Sequence, residues 1–167
     1  MTVASDIEQI KIQEQTLRFK SCSEQAVWDL GCQMRQAAIA QNLPLVIDIS
    51  IGDRQMFYSA LAGTSADNAH WVRRKANSVR RFEKSTYRLN RETDGSNKPF
   101  GAVSGIDLLQ FSNHGGGFPL HIVGTGVVGA ITVSGIPQRD DHGFVIEQLC
   151  QFLKFDHRAF MLGPEDK

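Results

Sequence analysis

The feature that most constrains the fold is the stretch Asn113–Pro137, in which a glycine-rich loop is followed by two short runs of β-branched and aliphatic residues, Pro119–Val123 and Val127–Ser134. Gly124-Thr125-Gly126 between the runs supplies the positive φ that a tight hairpin needs. Two antiparallel strands joined by a short turn are therefore the expected centre of the chain. A second hairpin is expected upstream. Leu45–Ile51 begins as a continuous apolar run, Gly52-Asp53 is a turn, and Gln55–Leu61 alternates, with Met56, Tyr58 and Ala60 on one face and Phe57 and Leu61 on the other. Both faces of such a sheet need covering.

Helical patterns supply the cover. Ser5 and Glu8 stand at capping-box spacing before Ile10 and Ile12, which predicts a brief first helix, and Thr16–Lys20 alternates as a short edge strand would. Ser23 opens a longer helix in which Ala26, Val27, Leu30, Met34, Ala37 and Ala38 recur at three and four residues until Asn42 and Pro44 stop it. A third helix is expected from Asp67 to about Arg91, and a last one over Phe144–Phe155 after a polar turn at Gln138–Gly143. Asp94–Gly101 reads as a loop long enough to act as a lid, and Val103–Phe111 suits a helical turn or a short strand equally.

Composition narrows the function classes. The chain has 167 residues, 41% of them hydrophobic, which suits one domain with a core that folds without staples. Lysine plus arginine equals aspartate plus glutamate at 18 each, so no net field draws the molecule to nucleic acid or to an anionic membrane. Cys22, Cys32 and Cys150 are an odd set at long spacing, and the N-terminus is acidic where a signal peptide would be basic and then apolar. A cytoplasmic setting is expected.

Several motif matches fail on context. Gly124-Thr-Gly-Val-Val-Gly129 fits the dinucleotide pattern letter for letter, but a strand follows where a pyrophosphate needs a helix N-terminus. His114-Gly-Gly-Gly117 has the form of an esterase oxyanion loop, yet the chain has no G-x-S-x-G elbow to bring a nucleophile. Asp140-Asp141-His142 offers metal-type donors, but adjacent residues in one turn rarely converge without a third group from elsewhere.

Two features remain as candidate site. Eight of the 18 basic residues fall between Arg73 and Arg91, with Glu83 the one acid among them. One reading is a solvated basic face that makes ion pairs. The other is a stripe, His70, Arg74, Asn77 and Arg81, at spacings of four, three and four, lying over a pocket for an anionic group, since arginine forks suit carboxylates and phosphates. The second feature is His114 with Gly115, Gly116 and Gly117, where the glycines let backbone approach a ligand and leave the imidazole room.

These residues also carry a family resemblance. The hairpin Leu45–Leu61, the helix from Asp67 with Lys75-Ala76, Gly-Gly-x-Pro-Leu at Gly116–Leu120 and Val-Gly-Ala-Ile-Thr-Val-Ser-Gly at Val128–Gly135 resemble the GlcG/HbpS-like group of haem-degrading or haem-binding domains. The similarity runs from about Ser23 to Phe155 and is greatest to the branch with an Asn-His-Gly-Gly-Gly-Phe-Pro loop. The first hairpin turn, often Asp-Ala-Gly-Gly in the broader group, is Ser50-Ile51-Gly52-Asp53 here. The resemblance implies an α+β fold, a three-layer α-β-α sandwich with an antiparallel sheet of about five strands, profilin-like in outline, assembling as a homo-oligomer. Some relatives bind haem or a corrinoid-related partner, and for haem the candidate ligands are His70 and His114.

Three function classes follow. One is a binding module, in which the loop Asn113–Phe118, the helix stripe and the lid enclose a planar or anionic ligand such as haem. Another is an enzyme on a small carboxylate or phosphate metabolite, with His114 as general acid or base and loop amides at an oxyanion. The third is a structural or partner-binding oligomer without chemistry.

Overall fold

The structure, a computed structural model, describes residues 1–96, 98–101 and 105–165. Its sheet has strands β1 (Val46–Ile51), β2 (Arg54–Ala60), β3 (Gly117–Ile122) and β4 (Gly126–Ser134) in the order β2-β1-β4-β3, antiparallel throughout. Both expected hairpins are present. Gly52, at φ +54°, turns the first, and Thr125 N–H donating to the Ile122 carbonyl closes the second between Gly124 at φ +80° and Gly126 at φ +110°.

The two faces of the sheet differ in chemistry. Ile47, Ile49, Phe57, Phe118, Leu120, Ile131 and Val133 form the main core with α2 (Glu24–Ala40) and α5 (Gln138–Leu153). Alternation turns Asp48, Ser50, Gly117, Ala130, Thr132 and Ser134 to the other face, beneath α3 (Ala66–Phe82). That face packs thinly, through Ala76 and Val79 on Ala130. Small and polar residues on this side leave space between helix and sheet. The three-layer α-β-α architecture is as expected, with α1 (Val3–Thr16) lying on α4 (Thr86–Ser96).

Four boundaries depart from expectation. The first helix begins at Val3, capped by Thr2, whose hydroxyl accepts from Ser5 N–H, and it continues to Thr16 because Ile10, Gln13 and Leu17 are all buried. The expected edge strand at Thr16–Lys20 is thereby reduced to one parallel bridge, Phe19 to Ile122, and the sheet has four strands where about five were expected. The single helix expected over Asp67–Arg91 breaks at Glu83, which adopts φ +53°. Ser85 restarts the chain as α4, its hydroxyl accepting from Arg88 N–H and its own N–H donating to Glu14 on α1. Gln138–Gly143, expected as a turn, is the opening of α5, which Pro137 at the cap position and Asp140 and Asp141 in the first turn favour.

The expected lid is divided between elements. Asp94–Ser96 completes α4, while Asn97 lies outside the described residues. Ala102, Val103 and Ser104 are outside them as well. From Asp107 to Phe111 the chain makes a helical turn, with Gln110 and Phe111 N–H both donating to the Asp107 carbonyl.

Candidate functional site

The site is built where α3 meets the glycine loop. Asn68, Trp71 and Lys75 are spaced three and four residues apart, so they share one side of α3. Trp71 is held by its indole N–H donating to Asp67 at 2.9 Å. Its ring meets the His114 imidazole edge-on at 4.8 Å, and the Arg74 guanidinium lies over it at 4.5 Å. A cation, an aromatic ring and a histidine are thus in contact.

The loop is fastened from three directions. Ser112 N–H donates to Ser78 on α3, Gly115 N–H to the Gln138 side chain on α5, and Gly117 N–H to the Thr86 hydroxyl on α4. The amides of Gly115 and Gly117 are therefore already engaged within the protein. Glycine is required at 115 because a Cβ there would lie 2.1 Å from the Gln138 carbonyl oxygen. At 116, φ is +114° and a Cβ would crowd the Val133 carbonyl at 2.5 Å.

His114 itself is exposed. Its backbone N–H donates to the Ser112 hydroxyl at 3.1 Å, and its Nδ1 lies 3.3 Å from the same oxygen. Among the described residues its Nε2 makes no hydrogen bond. Partial burial, then the positive charges of Lys75 and Arg74, hold its pKa below the ordinary histidine value. Near neutral pH the ring is an uncharged base with one nitrogen available.

Lys75 and Asp141 form the floor. The Lys75 ammonium donates to an Asp141 carboxylate oxygen at 2.8 Å and to the Val133 carbonyl at 2.9 Å, and the two side chains are only 2% and 3% exposed. Burial outweighs the attraction between them. It pushes Asp141 up to about 6 and Lys75 down from the usual lysine range. With Asn68, Trp71, His114 and Gln138 the pair lines a cleft of about 270 Å³.

The residues singled out in the sequence divide as follows. Arg74, Asn77 and Arg81 face one segment of backbone: Arg74 approaches the Phe111 carbonyl at 3.5 Å, Asn77 donates to the Gln110 carbonyl at 2.8 Å, and Arg81 lies 5.2 Å from the Phe111 ring. These three share one side of α3, and the turn Asp107–Phe111 lies on them. His70 is exposed one turn before Arg74, and no hydrogen bond or ring contact joins it to His114 among the described residues. His114 reaches the cleft, and the glycines of the loop pack behind it. Sequence reasoning missed Lys75 and Asp141 as site residues. The available signal was Lys75 itself, a charged residue on the apolar spacing Val72, Ala76, Val79. Asp140-Asp141-His142 does not converge, since Asp141 meets Lys75 while His142 Nε2 meets the Gln13 side-chain oxygen at 2.8 Å.

Two larger cavities lie elsewhere. One of about 420 Å³ sits beside α5, lined by His142, Phe144, Phe160 and Met161, and one of about 360 Å³ separates α3 from the β1–β2 hairpin. Among the described residues, no helix is long and apolar enough to cross a membrane.

An antiparallel sheet between helical layers, with a histidine-bearing glycine loop held at its end by α3, α4 and α5, defines the class as an α-β-α sandwich. The chain belongs to the family described as haem degrading protein HbpS-like, which matches residues 22–149. A UPF0303 protein of Mesorhizobium japonicum is 44% identical over 165 residues, 99% of each chain. The crystal structure of Ybr137w protein superposes at a TM-score of 0.83 over 91% of this chain and 94% of that one, at 23% identity. A PduOC:haem complex superposes at 0.67 over 78% and 94%, at 14% identity. The two structural likenesses establish the shared fold.

Proposed function

We propose that this protein binds haem, or a planar anionic ligand of that kind, at the cleft between α3 and the glycine loop, with His114 Nε2 as the axial ligand. The observation that carries this reading is the state of His114: an uncharged imidazole, its Nδ1 beside the Ser112 hydroxyl, its Nε2 without a partner among the described residues. A haem iron needs that form of the ring. Trp71 offers a flat apolar wall beside it, and Arg74, 4.5 Å from the Trp71 ring, is a cation suited to a propionate. Membership of the HbpS-like family and the likeness to a protein solved as a haem complex support the same reading.

The cleft, at about 270 Å³, is smaller than the roughly 300–1,000 Å³ of pockets that enclose an organic ligand. A macrocycle would therefore enter by its edge, leaving the rest of the ring at the surface. Self-association belongs to the same proposal, because Trp28 and Ile39 on α2 and Leu108 and Leu109 beside the site are large apolar side chains left exposed. Light scattering of the purified protein measures it.

The test of the ligand is titration with ferric haem followed by visible absorption. The expected result is a saturable Soret shift that His114→Ala abolishes and His70→Ala leaves in place. A non-saturating response, the same in wild type and His114→Ala, would remove haem from the account.

A further inference from the structure

A cavity on the thinly packed face of the sheet, between α3 and the β1–β2 hairpin, is independent of the haem proposal. The hairpin carries a register shift between Ile49 and Ser50, where the partners pass from Phe57 to Gln55 and Met56 is the extra residue. Bulges of this kind re-aim side chains. Here the shift turns Gln55 to the face that bears Asp48 and Ser50, and the Gln55 amide donates to Asp48 Oδ1 at 2.6 Å.

Asp48 is only 7% exposed, yet no lysine, arginine or histidine lies within ion-pair distance of it among the described residues. Its second carboxylate oxygen accepts no hydrogen bond from them. That oxygen faces the cavity, where a cation would pair with it, and burial raises the Asp48 pKa, opposed by Gln55 and by the more distant charge of Arg80. Arg80 is fixed, since it donates to the Ser50 hydroxyl at 2.9 Å and to the Asn77 side-chain oxygen at 2.8 Å. Arg73 is exposed at the mouth, with one long contact to Gln110 at 3.4 Å. The cavity between these groups measures about 360 Å³, with Tyr58 as one wall and the carboxylate of Asp53, at the exposed hairpin turn, on its outer edge.

We propose that this cavity binds a small zwitterion, its ammonium on Asp48 and its carboxylate on Arg73. The floor offers an unpaired anion and the mouth a loosely held cation, so a net-neutral ligand with charges in the opposite order satisfies both. A simple cation would pair with Asp48 alone and a simple anion with Arg73 alone, each leaving the other group unpaired by the ligand.

Isothermal titration with glycine, 4-aminobutyrate and 6-aminohexanoate spans the distance that the Arg73 side chain can adjust, with butylammonium and butyrate as single-charge probes. Saturable 1:1 binding of at least one zwitterion is expected, tighter than either single-charge probe. Asp48→Asn keeps the shape and the Gln55 contact and is expected to weaken that binding about tenfold or more, as loss of a charge-assisted hydrogen bond does. Arg73→Gln is expected to weaken it as well, with circular dichroism showing both variants folded. Absence of saturable binding by all three zwitterions would overturn the proposal. So would unchanged affinity in folded Asp48→Asn, or butyrate binding as tightly as 4-aminobutyrate.

Discussion

The Lys75 ammonium lies 2.8 Å from the Asp141 carboxylate, and this contact joins α3 on one face of the sheet to α5 on the other, around the end of β4. A third partner, the Val133 carbonyl at 2.9 Å, ties the same ammonium to the sheet. One charged side chain thus connects all three layers beneath the cleft.

Removing either charge leaves the other buried alone. Lys75→Met or Asp141→Leu is expected to cost about 3–5 kcal/mol, whereas the double variant is expected to recover most of that loss, because apolar pairs often replace buried ion pairs without penalty. Urea denaturation of the three variants measures the coupling. Equal loss in the double and single variants would show that the pair is not the unit of stability.

His142 gives acid stability a defined slope. It is 1% exposed, and burial, helped by the charge of Arg139, pushes its pKa down to about 3. The unfolded chain takes up a proton near the ordinary histidine value and the folded protein does not. The stability contributed by the neutral ring is therefore complete above about pH 6.5 and fades as pH falls toward 3, by up to about 1.4 kcal/mol per pH unit. Asp141, pushed up to about 6, works in the opposite sense, its contribution being lost as pH rises from about 4 to 6. The two slopes oppose each other over that interval. Between pH 4 and 6 Asp141→Asn is expected to lose more stability on acidification than wild type, and His142→Gln less, as urea denaturation across that range would show.

Glycines in the same region separate by what surrounds them. Gly115→Ala forces a methyl to within 2.1 Å of the Gln138 carbonyl oxygen and is expected to destabilise by more than about 3 kcal/mol. Gly143, inside α5, has nothing within 4 Å of the same methyl. Gly143→Ala is expected to stabilise by about 0.5–1 kcal/mol through helix propensity. Thermal melts of the two variants should shift in opposite directions.

Thr132 carries a buried hydroxyl with no hydrogen-bond partner among the described residues. Thr132→Val keeps the β-branched shape and deletes the stranded group. The expected change is between neutral and about 1–2 kcal/mol of stabilisation, read from the denaturation midpoint. A loss of more than about 1 kcal/mol would mean that the hydroxyl has a partner in solution, such as bound water.

How legible each element was depended on whether its signal is local. Ser23 caps α2 as its sequence position suggests, and Gly52 and Gly126 adopt the positive φ that their hairpins demand. Glu83 shows the limit: Ser85-Thr86 is a weak local cap signal inside a sequence otherwise read as helix through Arg91, and the break is held by Glu14 of α1 accepting Ser85 N–H, 71 residues away in the chain. The start of α5 was hidden in the same way. Asp140 and Asp141 read equally as turn residues and as a first helical turn, and it is Lys75 that draws Asp141 inward.

For this protein the sequence alone determined most of the helices, the two hairpins and the need to cover both faces of the sheet, because side-chain alternation and helical spacing fix which faces must be buried. The three-layer α-β-α arrangement followed from the family resemblance. It also placed His70, Arg74, Asn77 and Arg81 along one side of a helix. Only the tertiary structure decided that Gln110–Phe111 would lie on that stripe, that His114 would stand against Trp71, and that Lys75 would find Asp141. Those contacts join residues 33, 43 and 66 positions apart. No local pattern encodes such pairs, since each depends on how far two separately stable elements approach once the core between them is packed.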